Sequence, residues 1–156
     1  MTESVRPFLR PSLLERVFNR FFGLLVGLGL GMRHNYVLQV EGRTSGKTYA
    51  TPVNVLVHKG RRYLVAPRGE TQWVRNARAR GQVRLKKGWK TESLRVRAIP
   101  DQEKPEILKA YLDSFRRTVQ RYFTVPAGSA AEAFSPVANL YPVFELLPAS
   151  QRPGPG

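Results

Sequence analysis

The stretch TYATPVNVLVHKGRRYLVAP, residues 48–67, limits the fold more than any other part of the chain. Two runs rich in Val, Leu, Thr and Tyr are separated by Lys59-Gly60 alone, and so short a link joins strands as an antiparallel hairpin. YVLQVEG (36–42) alternates as a half-buried strand just before it, and QVRLKKGWKTESLRVRAI (82–99) reads as a second hairpin with Lys87-Gly88 in its turn. YPVFELLP (141–148) supplies a last strand. Between these, TQWVRNARARG places Trp73, Val74 and Ala77 on one helical side and Gly81 as a stop, with Thr71 as the N-terminal cap. Pro100 ends the second hairpin, and the following helix carries Ile107, Leu108, Tyr111, Leu112 and Phe115 on its apolar face. The expected class is α+β, mainly β: about six antiparallel strands in a small barrel with peripheral helices. A barrel of that size is filled by its own side chains, so a ligand must lie outside it, in a groove walled by loops or by the second subunit of a homodimer.

Two segments flank this body. PSLLERVFNRFFGLL reads as an N-terminal helix, with Ser12 and Glu15 at capping-box spacing and Leu14, Val17, Phe18, Phe21 and Leu25 on one face. The uncharged run FFGLLVGLGLGM (21–32) is too short for a membrane span of roughly 20 residues and lacks a signal-peptide cleavage site. The expected division is therefore 1–33 as amphipathic helix and Gly-rich segment, 34–148 as the barrel domain, and 149–156 as a disordered tail. The expected location is the cytoplasm, with the helix packing on the body or lying on the inner face of the membrane. With no cysteine and only two isolated histidines, His34 and His58, no disulfide and no metal site is expected.

The charge is lopsided: 26 Lys and Arg against 11 Asp and Glu, a formal +15. Such a field favours polyanionic partners without specifying a fold. Two loops could grip an anion. In EGRTSGKTYATPV, small residues can turn backbone N–H groups inward, Ser45 adds a hydroxyl, Arg43 a fork and Lys47 a point charge. In APRGET, Gly69 permits a tight turn and brings a helix N-terminus beside Arg68, with Trp73 one turn in as a wall for a planar ring. The first could instead be a solvated turn, and Trp73 beside the second a core residue.

GRTSGKTYATPV, YLVAPRGETQWVRNARARG and YPVFEL together resemble the deazaflavin-dependent nitroreductase family of actinobacteria, within the split β-barrel flavin and deazaflavin oxidoreductases. The likeness is close over 36–86 and looser to Leu146; the first 30 residues and the tail do not share it. It implies a split barrel binding coenzyme F420 (8-hydroxy-5-deazaflavin), whose phosphate and oligoglutamate tail make it polyanionic at one end and a flat ring at the other. It places Arg43, Thr44, Ser45, Gly46 and Lys47 at the phosphate, the Thr51-Pro52-Val53 backbone against the ring, Ala66, Pro67, Arg68 and Gly69 between them, and Trp73 and Asn76 in the family's Trp-x-x-Asn. It further implies hydride transfer from the reduced deazaflavin to a small, apolar, electron-poor acceptor such as a quinone, enone or nitro compound. Tyr36, Tyr49 and Tyr122 are the candidate proton donors to the reduced product, although packing is the more ordinary fate of each. The chain departs from the nitroimidazole-activating members: its loop before the tryptophan is shorter, Val74 replaces a tyrosine, and Tyr111 and Tyr122 do not align with their C-terminal tyrosines.

Three rivals remain at this level. An FMN-binding split barrel would use the same phosphate loops but leave much of the charge without a partner. A basic module for nucleic acid suits the charge, yet the basic strands lack regularly interleaved aromatics. A peripheral membrane protein would combine the N-terminal helix with the basic face, and is compatible with an enzyme.

Overall fold

The computed structural model describes residues 34–149. The expected N-terminal helix and residues 150–156 of the expected tail lie outside the described residues. Six strands, β1 (Asn35–Glu41), β2 (Thr48–His58), β3 (Arg61–Val65), β4 (Gln82–Lys87), β5 (Lys90–Ala98) and β6 (Val143–Pro148), form a closed barrel in the order β1-β2-β3-β6-β5-β4. Every pairing is antiparallel, and β4 closes the barrel against β1. Helix α1 (Gln72–Arg80) links β3 to β4, and helix α2 (Lys104–Val119) follows β5. The α+β, mainly β barrel expected from the sequence is the one observed.

The β2–β3 turn is a two-residue loop in which Lys59 (φ 53°) and Gly60 (φ 78°) are both left-handed, the geometry that matches strand twist. The β4–β5 turn lies one residue later than expected. Lys87 pairs with Lys90, so Gly88 and Trp89 make the turn rather than Lys87 and Gly88. Only Gly88 has positive φ (60°), and glycine in the first turn position is what a type II′ loop requires.

The barrel packs on both of its faces. Leu38, Val40, Leu64, Leu85, Leu94 and Phe144 point inward, and Val74 and Ala77 of α1 join them as a plug. Leu56, Tyr63 and Val143 point outward against the apolar face of α2, where Ile107, Leu108, Tyr111 and Leu112 are buried as expected. Strand alternation therefore divides neighbours such as Val55 and Leu56 between two cores. A 3₁₀ segment, Ala131–Leu140, was not anticipated. It contains Pro136 and has neither helical nor strand period, yet its Phe134 is fully buried in edge contact with Phe123. Lys104, itself buried, ties this segment down by donating to the Ala138 carbonyl at 3.1 Å while pairing with Asp101 at 2.8 Å.

Phe134→Ala should lower unfolding stability by about 3–5 kcal/mol, read from denaturant midpoints, because it opens a cavity among rings that cannot collapse into it. An unchanged midpoint would show that the 3₁₀ segment is only loosely docked. Acid should also destabilise the fold. Hydrogen bonds from Arg78 and Arg62 hold Glu70 and Glu92 below the usual carboxylate range. A carboxylate lowered in the folded state contributes fully above the unfolded value, and the contribution is lost as pH falls through the folded one. Urea midpoints should accordingly hold steady from neutral pH to the upper edge of the carboxylate range and drop below it; a rise on acidification would contradict this.

Candidate functional site

Strand β2 is longer than its ladder with β3. It pairs with β1 from Thr48 to Asn54, but with β3 only from Val55 to His58. Residues 49–54 thus have one edge without a strand partner, and that edge lines a cavity of about 1010 Å³. Five residue steps at about 3.4 Å each make the strand edge from Tyr49 to Asn54 roughly 17 Å long. The volume is at the upper end of the range for small-molecule sites.

One end is basic. Its wall is the β1–β2 loop, held by a stripe of α1 residues at i, i+4 and i+8. Gln72 Oε1 accepts from Arg43 Nη1 at 3.0 Å, and Asn76 Oδ1 accepts from Arg43 Nη1 at 2.7 Å and from the Arg43 backbone N–H at 3.0 Å. Arg80 Nη2 donates to the Gly42 carbonyl at 2.6 Å. Gly42 has no room for a side chain: a Cβ there would lie 2.7 Å from Ser45 Oγ and 2.9 Å from the Tyr49 ring. The loop is less open than its composition suggests. The N–H groups of Gly42 and Gly46 bond to carbonyls within it, and that of Lys47 bonds to Ser45 Oγ. Those of Thr44 and Ser45 remain for a ligand.

Across the cavity, the Ala66–Thr71 turn delivers Arg68 and the start of α1. The N–H groups of Val74 and Arg75 bond to the Thr71 carbonyl, so those of Gln72 and Trp73 are the open donors of the first turn. Thr71 occupies the cap position but makes no capping bond, which corrects the expected cap. Its Oγ1 is buried without a partner among the described residues, although Thr71 lines the cavity. The lining includes two arginines and no carboxylate. Trp73 is half-buried, tilted against Phe144 at 6.0 Å between ring centres, so it is at once core and cavity wall.

The lining at the other end is aromatic and uncharged, with the Arg121 guanidinium against Tyr122, 5.0 Å from its ring centre and donating to its hydroxyl at 3.1 Å. Tyr111 and Thr118 of α2 and Tyr122 of the following 3₁₀ turn face Asn35 and Asn54, which pair across β1 and β2. Asn54 Oδ1 accepts from Asn35 Nδ2, and the Asn54 side chain is also hydrogen-bonded to Tyr111. Burial pushes the Tyr111 phenol well above its ordinary range, so its proton stays in place at any physiological pH. The Tyr141 hydroxyl donates to the Tyr122 carbonyl at 3.0 Å and fixes the turn that carries Tyr122.

Of the residues singled out by sequence, Arg43, Thr44, Ser45, Thr51, Pro52, Val53, Ala66, Pro67, Arg68, Trp73 and Asn76 line this cavity, as do Tyr49 and Tyr122. Gly46, Lys47, Gly69 and Tyr36 are not in the lining; Tyr36 instead carries the Lys87 ammonium 4.7 Å above its ring. Sequence reasoning missed Asn35, Asn54 and Gln72, and placed Tyr111 on the apolar face of its helix without a match to the family's C-terminal tyrosines. The spacing of Gln72, Asn76 and Arg80 was a readable signal of a polar helical stripe, whereas nothing local pairs Asn54 with Tyr111. No cluster of metal-ligating side chains occurs among the described residues.

No curated protein matches the sequence. Among solved structures, the F420-H2 dependent reductase FDR-A is 19% identical with a TM-score of 0.50, covering 73% of this chain and 94% of that one. A chain solved as a domain-swapped dimer is 20% identical, with a TM-score of 0.52 and coverage of 93% and 98%. A protein of unknown function from Agrobacterium tumefaciens is 19% identical with a TM-score of 0.52; 72% of this chain aligns, spanning 47%, about half, of that one. At these identities the likeness is one of fold. The profile of the F420H(2)-dependent quinone reductase family matches residues 14–123, taking in part of the N-terminal segment that the motif resemblance had left out and stopping short of β6. The chain belongs to the F420H(2)-dependent quinone reductase family, and with it to the deazaflavin-dependent reductases.

Proposed function

We propose that the protein passes hydride from reduced coenzyme F420 to an apolar, electron-poor acceptor of the quinone class. The observation that carries this reading is the division of one elongated cavity into a cationic end without carboxylates and an aromatic, neutral end. The donor set fits a phosphate-bearing ring: Arg43 and Arg68, the N–H groups of Thr44, Ser45, Gln72 and Trp73, and the unpartnered Oγ1 of Thr71 converge from two loops. Coenzyme F420, when bound, supplies the hydride chemistry; the protein binds, orients and excludes water. Asn76 and Gln72 keep the Arg43 fork extended and aimed before any ligand arrives, so little side-chain entropy is lost on binding. The unpaired edge at Thr51-Pro52-Val53 and the Trp73 ring form flat walls for a planar system.

At the neutral end Tyr111 is the group we assign to the acceptor. Its hydroxyl keeps its proton, and the Asn35–Asn54 pair holds its orientation, so it can donate a hydrogen bond to a carbonyl or quinone oxygen as negative charge develops there. Tyr49 and Tyr122 line the same cavity but at opposite ends of it, Tyr49 beside the loop at Gly42 and Tyr122 beside Tyr111.

Titration of the oxidised deazaflavin, with FMN for comparison, should show binding that Arg43→Ala or Arg68→Ala weakens by about 2 kcal/mol, some thirtyfold, the loss of a charge-assisted hydrogen bond. Asn76→Ala should cost a similar factor, and Arg43→Ala with Asn76→Ala together little more than either alone, since one pins the other. Additive losses, or tighter binding of FMN, would refute this assignment. Tyr111→Phe should leave deazaflavin affinity within about twofold while lowering kcat with a quinone by about two orders of magnitude, the usual scale for losing one hydrogen-bond donor to developing negative charge. The Tyr111-dependent activity should not change up to the ordinary phenol range, because a raised pKa preserves the protonated form. Equal kcat for the two proteins would remove Tyr111 from the reaction.

A further inference from the structure

At the aromatic end of the cavity, the rim carries charge that the lining does not. Thr118 and Tyr122 line the cavity, and each is preceded in the chain by an exposed arginine, Arg117 and Arg121. An arginine has five N–H groups to donate. The Arg121 guanidinium lies against the Tyr122 ring, and among the described residues its one hydrogen bond goes to the Tyr122 hydroxyl. Neither Arg117 nor Arg121 forms an ion pair among the described residues. The nearest acid along α2, Asp113, is already held: Lys109 donates to one oxygen at 2.9 Å and the Gly128 N–H to the other at 2.8 Å. The turn that carries Arg121 is fixed as well. Gln120 Nε2 donates to the Val125 carbonyl at 3.0 Å, its Oε1 accepts from the Ala127 N–H at 2.8 Å, and the Tyr141 hydroxyl holds the Tyr122 carbonyl.

We infer that this rim recognises an acidic substituent on the acceptor, a carboxylate foremost, so that the acceptor is an electron-poor ring bearing an anionic side chain; this rests on the aromatic end being the acceptor's. A guanidinium stacked on a ring keeps its N–H edge free, and that edge matches the two oxygens of a carboxylate. The ring of such an acceptor takes the uncharged lining beside Tyr111, and its acid reaches the rim at Tyr122. Tyr122 holds the Arg121 fork and Gln120 holds the turn, so little freedom is lost when the acid arrives. Arg117, one turn earlier, adds a second positive charge to the same rim. The exposure of both arginines keeps the contact modest and sensitive to salt. The cofactor phosphate does not compete for them, because Arg43 and Arg68 serve it at the other end. An acidic protein surface fits less well: such contacts spread over a broad patch, whereas these two arginines follow one edge of a cavity.

The probes are a naphthoquinone carrying a propionate side chain and the methyl ester of the same compound, which share a ring and differ in charge. Wild type should favour the acid, and the advantage should fade as salt rises. Arg121→Gln should raise the KM of the acid about tenfold relative to that of the ester, the scale of a lost hydrogen bond to a charged group. The kcat for the acid should stay as it was, the pattern for an interaction made equally in the ground state and the transition state. Arg117→Gln should act in the same direction and more weakly. Arg121→Lys should recover part of the difference, since it keeps the charge and loses the fork. Equilibrium dialysis of acid and ester with the full chain, without reductant, makes the same comparison without turnover, so failure of the reduction itself would not hide the preference. An acid-to-ester ratio that neither salt nor Arg121→Gln changes would overturn the inference. So would a KM that rises by the same factor for both probes, which would leave Arg121 as a support for Tyr122 alone.

Discussion

The side-chain oxygen of Asn76, a residue 3% exposed, is bonded to both the backbone N–H and the guanidinium of Arg43 and is the contact on which the cavity depends. A buried amide oxygen without donors would cost a few kcal/mol, so the loop is drawn onto the helix by a need on the helix side as much as by its own preferences. The same contact holds the guanidinium of Arg43 at the cavity wall. Gly42 completes the fit, because a Cβ there would collide with the Ser45 hydroxyl and the Tyr49 ring. Gln72 and Arg80 extend the attachment over two turns of α1, and α1 is itself anchored by Val74 and Ala77 in the barrel. A rigid interior thereby positions an arginine on the outside.

The mismatch between the two ladders of β2 creates the space. An eleven-residue strand pairs along most of its length with β1 but for only four residues with β3. Where β3 leaves the ladder, the chain turns through Ala66–Thr71 into α1 and gives the cavity its second wall. Helix α2 and the turn after it supply the third, with Tyr111 and Tyr122. Charge follows the same division: arginines meet the N-terminus of α1 at one end, and hydrogen-bonded amides meet phenols at the other. A ligand that is anionic at one end and flat at the other satisfies both halves, which a polyanion without a ring would not.

Much of this was legible beforehand. Hairpin turns, the αL stop at Gly81 and the apolar face of α2 are local effects, set by backbone preference and by the period of hydrophobic residues. The cationic loops were legible as composition, and the motif resemblance named half of the residues that line the cavity. The loop's internal hydrogen bonds were not legible, and neither was the missing cap at Thr71. Both depend on where the chain's own donors and acceptors find partners. Nor could the 3₁₀ segment Ala131–Leu140 be read, because its order comes from Phe134 packing and the buried Lys104 rather than from any repeat.

By itself, then, the sequence determined an antiparallel, mainly β body with two cationic loops, since alternation and two-residue turns act between neighbours in the chain. Tertiary structure alone decided that Asn76 holds Arg43 across 33 positions and that Asn54 meets Tyr111. Those pairings follow from barrel closure and strand register, which bring distant residues within hydrogen-bonding reach and which no local pattern encodes.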